Sequence, residues 1–451
     1  MTTTTVAAPS GGIFAERYRA LTVGMVALIV LVAFEALAVA TAMPVVGRAL
    51  DGLALYALAF SGALAAGMVA TVLGGRWADR RGPVAPLWTG VVAFAAGLVV
   101  AGVAPTMDVF ILGRFVQGFG GGIFQVALYV LVSRVYPAAM HPKVFSIFAA
   151  GWVVPSMVGP AVAGVVVEQL GWRWVFLGVP MLVVPAALLL WRGLATTPAV
   201  EDQVETGGRT SIVRRLGWAV LTAVGAALMQ YGGAARGAGL VLLATGLVLL
   251  ALSLPRLLPP GTLRATRGLP SVIALRGIAA GTVLGGEVFL PLMLTGERGL
   301  SPAAAGMVLT AGALAWAFAS WVVGRKQYDR VLILRTGPAL IAVGIVLMAL
   351  TVFPGVPVPL AALGQLVVGL GIGSVYPTLS VLVLELSNPG EEGENSASMG
   401  IGESVFTVVT VAVVGAIVAA FGAVGPVYLV CFALTALVAS AGVLVGGRFR
   451  S

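Results

Sequence analysis

Three charged side chains stand inside long apolar stretches of this chain: Glu35, Arg114 and Glu287. On insertion scales an arginine at the centre of a membrane helix costs at least ~2.5–3.5 kcal/mol. A carboxylate in such a place can hold and release a proton, and an arginine can neutralise it. At 1.5 Å per residue, Glu35 lies roughly 13 Å and Arg114 roughly 10 Å from the end of its stretch assigned below to the outside. These similar depths point to an ion pair, with a purely structural pair as the competing reading. Glu287 sits roughly 10 Å deep by the same rise. The residue at the position of Arg114 in an internal repeat is Gln365, which carries no charge. A carboxylate in low-dielectric surroundings without a cation favours its neutral form. Glu287 can therefore trade its proton for a cationic substrate. A structural hydrogen bond, or a place at the outer mouth beside Glu297 and Arg298, competes with that role.

The elements that position these residues are membrane helices. Of 451 residues 59% are hydrophobic and 10% charged, against roughly 25% charged in a soluble domain. That leaves too little polar surface for a water-soluble globule. One cysteine (Cys431) and one histidine (His141) exclude an internal disulfide, a thiolate zinc site and any chemistry needing a histidine pair. No metal, no cofactor and no catalytic residue is expected, and the chain does not read as an enzyme. A span needs about 20 apolar residues. Fourteen stretches qualify: 20–44, 54–75, 84–104, 107–133, 144–168, 173–192, 216–232, 238–258, 272–294, 303–323, 336–353, 359–385, 398–420 and 425–446. The weakest, 216–232, carries Gln230. Were it a re-entrant hairpin with 238–258, the count would be twelve.

The net charge of +9 reflects topology rather than a nucleic-acid footprint. With the N-terminus inside, only Arg48, Arg173, Arg236 and Arg298 of the 26 basic residues fall outside. Arg114 lies within a span, and the rest, Arg276 among them, are cytoplasmic. This bias predicts an even number of spans with both termini in the cytoplasm. The first apolar run is too long for a signal peptide. The stretch 195–215 reads as a flexible cytoplasmic loop.

The chain repeats itself at an offset of 251 residues. Gly113, Gly118, Gly120 and Gly122 match Gly364, Gly369, Gly371 and Gly373, and Glu35 meets Glu287 one residue away. Two halves of six spans leave room for two extra helices between them. The expected units are an N-terminal bundle (1–194), a linker with two inserted helices (195–270) and a C-terminal bundle (271–451).

Four stretches carry a resemblance: GRWADRRG (Gly75 to Gly82), RFVQGFGGG (Arg114 to Gly122), PSMVGPAVAG (Pro155 to Gly164) and GWRWVFLGVP (Gly171 to Pro180). Together they resemble the major facilitator superfamily, and within it the fourteen-helix branch of the drug:proton antiporters. The resemblance implies an all-α membrane fold of two pseudo-symmetric six-helix bundles, with the first and fourth helices of each half lining a cavity. It also implies a latch of the two halves at Gly75, Asp79 and Arg80, proton transfer linked to Arg114, and an exporter's motif at Pro155, Gly159, Pro160 and Gly164. Pro83 and Val84 stand where that family has basic residues, and Pro155 replaces the motif's first glycine.

Gln125, Tyr129, Tyr376 and Gln365 are polar candidates on cavity-lining helices, with ordinary interhelical hydrogen bonding as the competing reading. Glu403 reads as solvated, and Glu391, Glu392 and Glu394 as a hydrated loop. His141 begins a helix at the surface. The expected function is proton-coupled export of amphipathic small molecules across a bacterial cytoplasmic membrane, the protein being monomeric in the bilayer and binding no nucleic acid. The alternative is an exporter dedicated to one endogenous metabolite or lipid.

Overall fold

The computed structural model describes residues 12–137, 140–195, 209–234, 238–325, 328–388 and 392–450. In a bilayer core no water can satisfy exposed backbone groups, so spanning segments close their hydrogen bonds within helices. The described residues hold fifteen helices and no strand. They are α1 Glu16–Ala49, α2 Tyr56–Arg81, α3 Val84–Gly102, α4 Met107–Val135, α5 His141–Gln169, α6 Arg173–Ala195, α7 Arg209–Ala234, α8 Gly239–Leu257, α9 Leu269–Glu287, α10 Leu290–Gly296, α11 Pro302–Arg325, α12 Arg330–Leu350, α13 Pro359–Glu385, α14 Glu392–Phe421 and α15 Gly425–Val445.

Among the described residues thirteen spans are long and apolar enough to cross a membrane, with α9 and α10 together forming one of them. The fourteenth is α7, whose 26 residues reach roughly 39 Å at 1.5 Å per residue. Near its end the Tyr231 hydroxyl donates to Asp108 Oδ1 at 3.0 Å, at the start of α4. Helix α7 thus runs the full depth of the bundle, and a shallow hairpin is not what forms. The chain is a multi-pass membrane protein. Both ends of the described chain lie on one face, here the terminal face. The α1–α2 turn marks the other.

Three expectations shift. The ninth apolar stretch is two helices, because Pro291 has no N–H to offer the Glu287 carbonyl four residues earlier. The second apolar stretch, 54–75, continues as helix through Gly75–Arg80, so that α2 runs to Arg81 and stops at Gly82, whose φ of 76° a side chain would resist. Helix α14 starts at Glu392, so Glu392 and Glu394 are helical in backbone. Their side chains, Glu391, the Asp79 side chain and most of the 195–215 linker lie outside the described residues.

The matched glycines have one packing role in each half. A Cβ on Gly113 would meet Gly97 and Ala101 of α3, and one on Gly364 would meet Gly344 and Met348 of α12. Gly120 packs on Gly90 and Phe94, and Gly371 on Gly337 and Ile341. On the opposite side Gly118 lies against Ala63 of α2, with a Cβ reaching within 2.1 Å of its carbonyl oxygen, and Gly369 lies equally close to Gly312 of α11. Small residues replace the missing hydrophobic drive between membrane helices with close backbone contact. Each of α4 and α13 is thereby sandwiched between its two neighbours.

The two halves meet at the α1–α2 face. Arg48 donates to Thr295 Oγ1 at 2.6 Å, the rings of Tyr56 and Phe289 stack at 5.4 Å, and Ala57 packs on Gly415. Helix α7 wedges between α2 and α14, with Gln230 donating to Ser61 and Gly233 against Ala416.

Candidate functional site

Glu35 and Arg114 meet, as their depths predict. They form an ion pair with side-chain exposures of 3% and 6%. The pair sits in a wider network. Arg114 also donates from Nε to the Ala59 carbonyl at 3.2 Å and from Nη1 to Gln117 Oε1 at 2.8 Å, and Gln117 Nε2 donates to Glu35 Oε2 at 2.9 Å. Sequence reasoning passed over Gln117, although its spacing of three from Arg114 puts the two on one helix face. Every charge in this cluster is balanced and both carboxylate oxygens accept hydrogen bonds.

Glu287 is placed differently. It ends α9 at the break before α10, is half-buried, and makes no ion pair among the described residues. Its carboxylate faces the side-chain amide of Gln365 on α13. Gln365 is completely buried, and neither its Oε1 nor its Nε2 completes a hydrogen bond of ordinary geometry. Gly312 leaves room for that amide, since a Cβ there would come within 2.8 Å of Oε1. The repeat therefore brings together the same two positions in each half. In one half they carry Glu35 and Arg114, and in the other Glu287 and Gln365.

A further cluster was not foreseen. The sequence pattern places Arg276 with the cytoplasmic charges and Glu403 in solvent. Instead they pair at 2.7 Å with side-chain exposures of 15% and 31%. The Arg276 guanidinium lies 3.4 Å from the centre of the Tyr376 ring, and the Tyr376 hydroxyl donates to Glu403 Oε1 at 3.0 Å. Charge counting assigns Arg276 to a side of the membrane, but it does not register a side chain turned inward along its helix.

Gln125 is half-buried on α4 and faces Tyr129, which is partly exposed. The Tyr129 ring packs against Phe145 at 5.5 Å and Phe148 at 6.1 Å. The stretch from Pro155 to Gly164 lies on α5. Gly159 approaches Phe34 and Leu37 of α1, Gly164 packs against Ala303, and the Pro160 carbonyl packs against Gly306 of α11. Glu168 accepts from the Ala303 backbone N–H at 2.9 Å. The stretch therefore seals one half to the other. Gly75 makes only ordinary contact with Val126, and Arg80 is exposed. The Ala78 carbonyl beside them accepts from Arg134 at 3.2 Å. His141 Nε2 bonds the Tyr136 carbonyl at 2.8 Å, which is a structural role.

The Major Facilitator Superfamily model matches residues 25–331, well over half of the chain. The chain belongs to this superfamily of transporters. It is 26% identical over 330 residues to a probable multidrug-efflux transporter of Mycobacterium tuberculosis, covering 69% of each chain. It is 21% identical over 373 residues to the multidrug efflux pump SdrM of Staphylococcus aureus, covering 81% of this chain and 82% of that protein. Among solved structures, a POT family transporter in complex with a thioalcohol-conjugated peptide superposes with a TM-score of 0.70, at 13% identity over 94% of each chain. At that identity the likeness speaks for the fold alone.

Proposed function

We propose that this superfamily member exports amphipathic small molecules, cationic or neutral, across a bacterial cytoplasmic membrane in exchange for protons, with Glu287 as the exchanging carboxylate. The observation that carries this reading is the contrast between two equivalent positions. Glu35 is neutralised by Arg114 and locked by Gln117, whereas Glu287 stands half-buried opposite the uncharged Gln365. The charge of Glu35 is already balanced within the chain. A carboxylate at a broken helix, facing an amide, can be neutral when protonated and can attract a cation when it is not. Proton entry down 100 mV supplies ~2.3 kcal/mol per charge to drive neutral cargo outward; in one-for-one exchange with a monovalent cation the two charges cancel and the pH gradient is the drive. The drug-efflux names of the relatives support the direction and the class of cargo.

In this reading the terminal face is cytoplasmic, as the basic residues favour. The units are 1–194, 195–270 and 271–451, and the monomer is the working form. Gln125, Tyr129, Tyr376 and Gln365 line the path. Gly75, Asp79 and Arg80 latch the cytoplasmic side. Pro155, Gly159, Pro160 and Gly164 seal the other side.

Transport in proteoliposomes under an imposed pH gradient tests the proposal. Glu287→Gln abolishes gradient-driven export while leaving the protein folded. Gradient-driven export at the wild-type rate in that variant would remove Glu287 from the mechanism.

A further inference from the structure

The Arg276 cluster has the make-up of a cation site with the chain's own cation inside it. The guanidinium covers the face of Tyr376 at 3.4 Å. Trp316 of α11 braces that ring edge-on, with centroids 5.2 Å apart and planes at 84°. Glu403 supplies negative charge, one oxygen accepting from Arg276 Nε at 2.7 Å and the other from the Tyr376 hydroxyl at 3.0 Å. An aromatic face beside a carboxylate is the arrangement that recognises delocalised and quaternary cations. The remaining contacts of Arg276 are long, 3.3 Å to the Tyr376 carbonyl and 3.4 Å to Ser380 Oγ. Trp316 and Glu403 are both partly exposed, so the cluster is not sealed.

Among its described residues the first half has no such cage. At the repeat offset, Gln125 stands for Tyr376 and Trp152 for Glu403. Gly67 packs on Gly122 where Trp316 packs on Gly373. The cage is therefore a feature of the second half alone, and packing shared by both halves does not explain it.

We propose that Tyr376, Trp316 and Glu403 bind the charged head of a lipophilic cation, and that Arg276 occupies this site in competition with it. Arg276 is then a specificity-determining residue. An incoming cation binds only for the fraction of time that the guanidinium has swung away, so its apparent affinity is lowered by that fraction. Bulky cations with apolar substituents compete by covering the rings, whereas small hydrated cations do not. The proposal rests on the export reading for its substrate class, but not on proton exchange at Glu287.

The test is equilibrium binding of tetraphenylphosphonium to the purified full chain in detergent, without a pH gradient. Arg276→Gln should bind it more tightly, by roughly three- to thirty-fold, the range spanned by a cation–π contact. Glu403→Gln and Tyr376→Leu should each bind it about tenfold more weakly. Tyr376→Phe keeps the ring and should stay within about threefold of the wild type. Wild-type affinity in a folded Arg276→Gln overturns the proposal. If that variant does not fold, unchanged affinity in both Glu403→Gln and Tyr376→Leu overturns it. Export that persists while Arg276→Gln gains no affinity sinks the cage alone. Tighter binding in Arg276→Gln without any gradient-driven export sinks the export reading and leaves the cage.

Discussion

At the scale of single residues, the two carboxylates inside the spans, Glu35 and Glu287, differ in what surrounds them rather than in depth along the helix. Glu35 shares its oxygens between Arg114 and Gln117, and removing one partner of such a pair strands a buried charge. Arg114→Leu should therefore destabilise the protein by about 3–5 kcal/mol, read as a large fall in melting temperature in detergent. The double variant Glu35→Gln with Arg114→Gln leaves neutral, hydrogen-bonding groups and should recover most of that loss. Equal losses in the single and double variants would mean that the pair contributes nothing through charge. The pair itself was legible in the sequence, because depth along a helix follows from counting residues. Gln117 was missed for want of a charge. Glu403 was misread because a carboxylate near a helix end looks the same in sequence whether it faces water or an arginine 127 residues away.

At the scale of helices, the repeat shows itself as packing. Gly118 and Gly369 let α4 and α13 touch the backbones of α2 and α11. Gly118→Val should reduce folded protein severely, since its side chain would meet the Ala63 backbone rather than a movable side chain. Gly178→Ala on α6, with nothing within 4 Å of the added Cβ, should leave melting temperature within a degree or two of the wild type. The break between α9 and α10 has no counterpart in the continuous α1. Its signal was in the chain all along, in Pro291, four residues past Glu287. Hydropathy ran straight across it, because both sides of the break are apolar.

At the scale of the whole molecule, the two halves are closed at the α1–α2 face, and the small residues of α5 and α11 form part of that closure. A Cβ on Gly306 would meet the Pro160 carbonyl at 2.3 Å and Thr41 at 3.1 Å. Gly306→Leu should pry this face open. In a Cys431→Ser background, a cysteine at the buried Thr41 should react with a membrane-impermeant thiol reagent several-fold faster once Gly306→Leu is added. No change in rate would show that the contact between α5 and α11 does not hold the closure. Helix α7 shapes the same interface by filling the seam between α2 and α14, a place that no count of spans assigns.

The sequence by itself determined the apolar stretches that become spans, the bias of the basic residues toward one set of connecting segments, and the twofold repetition of the glycine ladder. Each of these is a local or additive property: apolar length, charge summed over loops, and spacing along one helix. The tertiary structure decided which charges are spent on each other and which are left. It joined Arg114 to Gln117 as well as to Glu35, set Glu287 opposite an amide, and turned Arg276 onto Tyr376 and Glu403. Those pairings depend on helix rotation and on how closely backbones approach, which glycine and proline positions permit but which only the packed bundle fixes.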